Sequence, residues 1–379
     1  MSPQPLRVAL VAPPFESVPP KFYGGTERIV DFLARGLSEM GVDVTVFASG
    51  DSAPQGGRLI PYLDEALRLK KIPAQDAAPY HLKALADVAR WAHSDAFDII
   101  HNHDDYWLLP LSDMISAPVL HTLHGRMDLP DIDQAFCSYP HNYFVSISDS
   151  QRRPMPQLRW VRTIHHGLDF SSFRFQPKPG EYLAFLGRIT VEKRPEWAIQ
   201  IAKRAGVPLK IAAKIEGRQS QDYFDALVRP HLDGKNIEYV GEISELEKSE
   251  FLGNALGLVF PIDWPEPFGL VVVEALACGT PVLARPCGAM PELLEPGVTG
   301  FCSWDINVLS EKVADLKSID RRRCREWVET HFSLKRMTED YINVYRQLTG
   351  IAQTKSYRHR RDILHSVERF ADGHSQAQR

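Results

Sequence analysis

Apolar positions in this chain fall into short, nearly continuous runs separated by segments of helical spacing. The first run, Leu6-Arg-Val-Ala-Leu-Val-Ala12, has the pattern of a strand covered on both faces. After a loop that reaches Gly24-Gly25-Thr26, the residues Ile29, Leu33, Leu37 and Met40 recur at the spacing of one helix face. Gly41 suits the end of that helix, and Val42, Val44, Val46 and Phe47 predict the next strand. Further strands are predicted at Phe97–His101, Pro118–Thr122, Asn142–Ile147 and Val161–His165, whereas 51–79 has no clear pattern. The alternation stops at Gly167–Gly180, which reads as a linker. It restarts with strands at Tyr182–Leu186, Pro208–Ala213, Ile237–Val240, Gly257–Ile262 and Pro281–Ala284, with helices such as Pro195–Ala205 and Leu270–Cys278 between them. Alternating strands and helices predict an α/β protein with parallel sheets. The expected organisation is an N-terminal domain over 1–170, a second domain over 181–330, a helix over 331–350 crossing back to the first, and a polar tail over 351–379.

Composition excludes several classes. With 379 residues, 44% of them hydrophobic and 24% charged, the chain can form two or three ordinary globular domains. Its 44 Lys and Arg against 48 Asp and Glu give a net charge of -4 and no strongly basic half, so no nucleic-acid partner is expected. The five cysteines, Cys137, Cys278, Cys287, Cys302 and Cys324, form no C-x-x-C pair, which argues against a disulfide framework or a zinc ribbon. The first apolar run is too short for an export signal, and no later run approaches ~18 unbroken apolar residues. A cytoplasmic protein without a membrane span is expected.

Three segments carry candidate chemistry. The richest is Val259–Pro281, where a strand enters the loop Pro265-Glu266-Pro267 and a helix begins at Gly269. The two prolines restrict the backbone around Glu266. Unpaired N–H groups at the helix start attract phosphate or oxyanion groups, and Glu274 lies about one turn further on. Two carboxylates so placed can accept hydrogen bonds from vicinal hydroxyls of a ribose or hexose. In the second segment, Phe185-Leu-Gly-Arg188 through Lys193, two cations follow a strand, a suitable pair for a diphosphate. In the third, Gly24-Gly25 precedes a helix and allows close backbone approach to a ligand, without the dinucleotide fingerprint G-x-G-x-x-G. His124 follows a strand and is expected to face the cleft. A metal set from His101, His103, His121 and Asp104 has no recognised spacing, and Asp131-Ile-Asp133 reads as surface, so no metal site is assigned.

Together these segments resemble glycosyltransferase family four, the retaining enzymes of GT-B fold, over Leu6 to about Leu348. The resemblance implies two Rossmann-like domains whose parallel sheets face each other across a cleft. It is most specific at Glu266 and Glu274, with Pro267-Phe-Gly-Leu270 between them. Arg188 and Lys193 match the family's diphosphate pair, Gly24-Gly25 its glycine loop, and His124 its cleft histidine near the transferred sugar. His166-Gly-Leu-Asp169 looks like its interdomain turn. By that resemblance Glu274 holds ribose hydroxyls, Glu266 holds the donor sugar, and the N–H groups of Phe268, Gly269 and Leu270 meet sugar or phosphate. The implied activity is metal-independent, retaining transfer of a hexose from a nucleotide sugar, UDP-glucose being expected, with no cofactor. Ile189-Thr190 departs from the family's more usual apolar-proline step.

Two rival classes share the fold: a nucleotide-sugar epimerase, and a non-catalytic nucleotide-sugar binding protein. A phosphorylase would need a pyridoxal lysine that nothing in the sequence marks, and a periplasmic binding protein would need an export signal. Acceptor-side loops at Phe15–Tyr23, Asp104–Trp107 and Arg126–Tyr139 are rich in aromatic and acidic residues and lack a basic amphipathic helix. A soluble small molecule or saccharide, a flat pterin-like ring among them, is expected as acceptor in preference to a lipid.

Overall fold

The computed structural model describes residues 5–21, 24–92 and 95–350. The polar tail over 351–379, and Phe22 and Tyr23 of the acceptor-side loop, lie outside the described residues. The N-terminal lobe is built on β1 (Arg7–Val11), β2 (Asp43–Ser49), β3 (Arg58–Leu63), β4 (Ile99–Asn102), β5 (Val119–Thr122), β6 (Tyr143–Ser146) and β7 (Trp160–Thr163). Its helices are α1 (Gly25–Glu39), α2 (Ala78–Ala92), α3 (Ile132–Cys137) and α4 (Asp149–Arg152). The C-terminal lobe has β8 (Tyr182–Arg188), β9 (Leu209–Lys214), β10 (Ile237–Gly241), β11 (Ala255–Phe260), β12 (Val282–Ala284) and β13 (Gly300–Cys302). Its helices are α5 (Pro195–Ala205), α6 (Gly217–Leu227), α7 (Glu245–Gly253), α8 (Leu270–Ala277), α9 (Met290–Leu293), α10 (Ile306–Lys312) and α11 (Arg321–His331).

Both sheets are parallel. The first has strand order β3-β2-β1-β4-β5-β6-β7 and the second β10-β9-β8-β11-β12-β13. In each, the order reverses beside the first strand, between β1 and β4 and between β8 and β11. Ligand crevices in open α/β sheets form at the carboxyl ends of the strands flanking such a reversal. Here those ends are Val11 and Asn102 in one lobe, and Arg188 and Phe260 in the other. This is the two-sheet α/β architecture expected from the alternation of apolar runs.

The apolar runs are buried as a doubly covered sheet requires: every residue of β11 is buried, as are Val8 to Val11 of β1. Among the elements that the sequence pattern left unassigned are β3, α2 and β13. A final helix, α12, runs over 334–350. Its Met337, Tyr341, Tyr345 and Leu348 enter the N-terminal core beside Val8, Leu10, Leu33 and Leu37. Tyr341 Oη lies 2.9 Å from Thr122 Oγ1, and Tyr345 Oη lies 2.7 Å from His101 Nδ1. Contact with α1 is close because Gly36 has no side chain: a Cβ there would lie 2.2 Å from Thr338 Oγ1. The chain thus returns to its first lobe after finishing the second.

Candidate active site

A cavity of about 860 Å³ opens between the lobes, a volume within the ~300–1,000 Å³ range of small-molecule sites. Its C-terminal wall is set by the reversal point of the second sheet. Arg188 ends β8, and β11 delivers the loop that carries Trp264 and Glu266. Glu266 Oε2 accepts hydrogen bonds from Lys193 Nζ and, at 2.9 Å, from Trp264 Nε1. Lys193 also lies 4.9 Å from the centre of the Trp264 ring, a cation–π contact that helps to fix the loop. Gly269 caps α8 in a left-handed conformation, φ 99° and ψ 63°, and no side chain among the described residues caps this helix. Its first turn, Leu270 and Val271, lines the cavity with Phe268 and Gly269. Unpaired N–H groups of such a turn favour an anion.

Arg188 is the most loosely held of the cations here. Its guanidinium is 3.6 Å from Glu192, and its Nε is buried without a hydrogen-bond partner among the described residues. Glu274, the charged residue of the otherwise apolar α8, is buried. Burial alone would raise its pKa, but Lys248 and Arg28 outweigh that and hold the carboxyl below its usual value. Arg28 belongs to α1 of the opposite lobe, and its guanidinium lies 2.6 Å from Glu274 Oε1 and 2.8 Å from Glu245 Oε2.

The N-terminal wall presents Gly24, Gly25, Arg28, His124 and His166. Gly24 is extended at the start of α1, and a Cβ on Gly25 would lie 3.4 Å from Leu270 Cδ1 across the cleft. His124 Nε2 lies 2.9 Å from His103 Nδ1, and its ring stacks on His166 at 5.1 Å between centroids. Burial pushes the pKa of His124 down to about 3, so the ring is neutral. The further histidines do not converge on a common point. His101 bonds Tyr345 and Thr122, His121 lies 3.2 Å from Asn142 Oδ1, and Asp104 pairs with His81 at 2.7 Å. Asp131 precedes the short helix α3 at φ 62° and pairs loosely with Gln134.

Residues 23–172 match the family model described as Glycosyltransferase Family 4, and residues 170–330 match the one described as Glycosyl transferases group 1. The chain belongs to glycosyltransferase family four. It is 28% identical to a glycogen synthase of Mycobacterium tuberculosis over 338 residues, covering 74% of this chain and 79% of that one. It is 26% identical to a D-inositol 3-phosphate glycosyltransferase of Mycobacterium avium over 346 residues, covering 77% and 80%. Among solved structures, Anabaena HepE in complex with UDP-glucose aligns over 90% of this chain and all of the other at TM-score 0.68 and 16% identity, a likeness of fold.

In this family-four chain, all ten residues singled out in the sequence line the one cavity: Gly24, Gly25, His124, Arg188, Lys193, Glu266, Phe268, Gly269, Leu270 and Glu274. Lys193, expected beside Arg188 as a diphosphate partner, pairs with Glu266. Sequence reasoning missed Arg28, Lys248 and Glu245, and named His103 and His166 only in other roles. The partners across the cleft are distant in sequence, and the position of Arg28 just after the glycine pair offered the one signal.

Proposed function

We propose that this protein is a retaining, metal-independent hexosyltransferase. The donor we infer is a UDP-linked sugar, UDP-glucose first, and the acceptor is a hydroxyl of a soluble small molecule or saccharide. The observation that carries the donor side is the meeting, at one sheet's reversal point, of three features: Arg188 with its unpartnered Nε, the uncapped start of α8, and buried Glu274. A diphosphate fits the first two, and ribose hydroxyls fit the third. Six cations, Lys21, Arg28, Arg188, Lys193, Lys214 and Lys248, and four glutamates line the cavity, and the net positive charge they leave can offset a diphosphate without a divalent ion.

The mechanism follows from where charge develops. As the bond to the sugar breaks, negative charge grows on the leaving diphosphate, which the Arg188 guanidinium and the α8 N–H groups would stabilise. Glu266, fixed by Lys193 and Trp264, accepts hydrogen bonds from sugar hydroxyls, and His124 meets the sugar from the other lobe. The carboxylates lining the cavity, Glu242, Glu245, Glu266 and Glu274, all come from the C-terminal lobe. With no lining carboxylate opposite them among the described residues to serve as nucleophile, attack by the acceptor on the face the diphosphate leaves is favoured over double displacement. The donor preference is supported by the UDP-glucose complex of a protein with the same fold.

The test is turnover of UDP-glucose against a mixed panel of soluble acceptors in excess chelator, with the product's anomeric configuration read by proton NMR. An α-linked product in chelator supports the proposal. A β-linked product refutes retention, and activity that returns only with a divalent metal refutes metal independence.

A further inference from the structure

His124 is a site residue whose chemistry depends on a proton position, and a second histidine lies behind it. His103 follows β4 and is buried; its Nδ1 lies 2.9 Å from His124 Nε2. Burial pushes both pKa values well down, so both rings are neutral and each carries one N–H. One of them must therefore donate to the other.

The far side of His103 decides which. His103 Nε2 is buried and has no hydrogen-bond partner among the described residues. If His103 accepted at Nδ1, its proton would sit on Nε2 as a buried N–H with no acceptor. If it donates from Nδ1, Nε2 holds only a bare lone pair. Orphaned buried N–H groups are the rarer and costlier case, whereas unsatisfied acceptors are better tolerated.

We infer that His103 is a positioning residue that donates its Nδ1–H to His124 Nε2 and thereby fixes His124 as the Nδ1–H tautomer, so that the cleft meets a hydrogen-bond donor and not a base. This rests on the placing of His124 at the donor sugar under Proposed function. The ring cannot readily turn to exchange its nitrogens. His166 stacks on it with 18° between planes, and Phe268 meets His166 edge-on at 4.9 Å. His103 is held in turn by the His101 ring, 4.0 Å away, and His101 is anchored by Tyr345 and Thr122. An Nδ1–H facing the cleft can donate to a sugar hydroxyl oxygen or to the leaving oxygen, and it cannot take a proton from the acceptor.

The test is a long-range proton–nitrogen NMR spectrum of the full chain labelled at histidine nitrogens, assigned with His103→Asn and His124→Gln. The wild-type spectrum should show His124 protonated at Nδ1 and bare at Nε2. In His103→Leu, with no donor left at Nε2, the tautomer should no longer be fixed and both forms should appear in the spectrum, and kcat should fall roughly tenfold, the loss of about one hydrogen bond, with UDP affinity unchanged. His103→Asn, whose amide can donate from nearly the same place, should restore the tautomer and most of kcat. A wild-type spectrum with His124 protonated at Nε2 overturns the inference whatever the variants do, as does a His103→Leu variant of full kcat. Wild-type turnover in His124→Ala would instead contradict the role given to His124 under Proposed function, leaving the tautomer to be judged by the spectrum.

Discussion

Glu27 shows how strongly single residues on the N-terminal side of the cleft are perturbed. It lies in the first turn of α1, two residues after the glycine pair, and is buried. Burial pushes its pKa up to about 7, with Glu16 and Asp104 adding to the effect. The folded state therefore keeps a proton that the unfolded chain loses near pH 4.5. The associated stability is complete below that pH and is lost as pH rises through about 7. Glu27→Gln, always neutral, should gain on the wild type by up to about 3 kcal/mol between pH 4.5 and 8, read from denaturant midpoints. Equal pH dependence in the two proteins would contradict it. The histidines have the opposite sign. The folded pKa values of His121 and His124, about 4 and about 3, lie below the ordinary 6.5. Their contribution is complete above pH 6.5 and is lost as pH falls toward 4. His124 should accordingly give no inflexion in kcat near pH 6.5, and an inflexion there that vanishes in His124→Gln would refute its neutral state. Legibility at this scale followed sequence distance. Glu266, Gly269 and Glu274 fall within one short stretch and could be read together. Arg28 meets Glu274 only through folding, and its sequence neighbours mark it as an ordinary charge on a helix.

At the scale of elements, α8 is the piece on which the site depends. Every residue from Val272 to Ala277 is buried, so the helix is fixed by packing and its open N-terminus is presented to the cavity without a cap. Gly269 makes this possible. Its φ of 99° is strained for other residues, and a Cβ there would lie 2.8 Å from Met290 Cε. Gly269→Ala should weaken UDP binding at least tenfold in calorimetry while the protein stays folded by circular dichroism. Unchanged affinity would remove the α8 start from the anion site. Strong apolar runs such as those of β1 and β11 were readable because both faces of those strands are covered. β3, with Pro61 inside it and only β2 beside it, carries a broken pattern, and the three residues of β13 are too few to show one. The spacing of Met337, Tyr341, Tyr345 and Leu348 marks a helix face, but nothing local to α12 names the distant lobe it packs against.

For the whole molecule, the two lobes are joined by contacts that converge around the cavity. Arg28 reaches Glu245 and Glu274, Ser148 Oγ donates to the Pro267 carbonyl at 2.7 Å, and Glu292 accepts from the backbone of Asp149 and Ser150 and pairs with His165. A ligand seated between Arg188 and Glu274 would therefore lie between the two lobes. The central claim is that this interlobe cavity holds the diphosphate and ribose of a nucleotide sugar through its own side chains and backbone. Titration calorimetry with UDP in excess chelator, comparing the wild type with Glu274→Gln, tests it most directly. The account predicts one site per chain in the wild type. It also predicts affinity about ten- to a hundredfold weaker in the variant, the loss of a charge-assisted hydrogen bond worth ~1.5–3 kcal/mol. No binding by the wild type, or equal affinity in the two proteins, would contradict it.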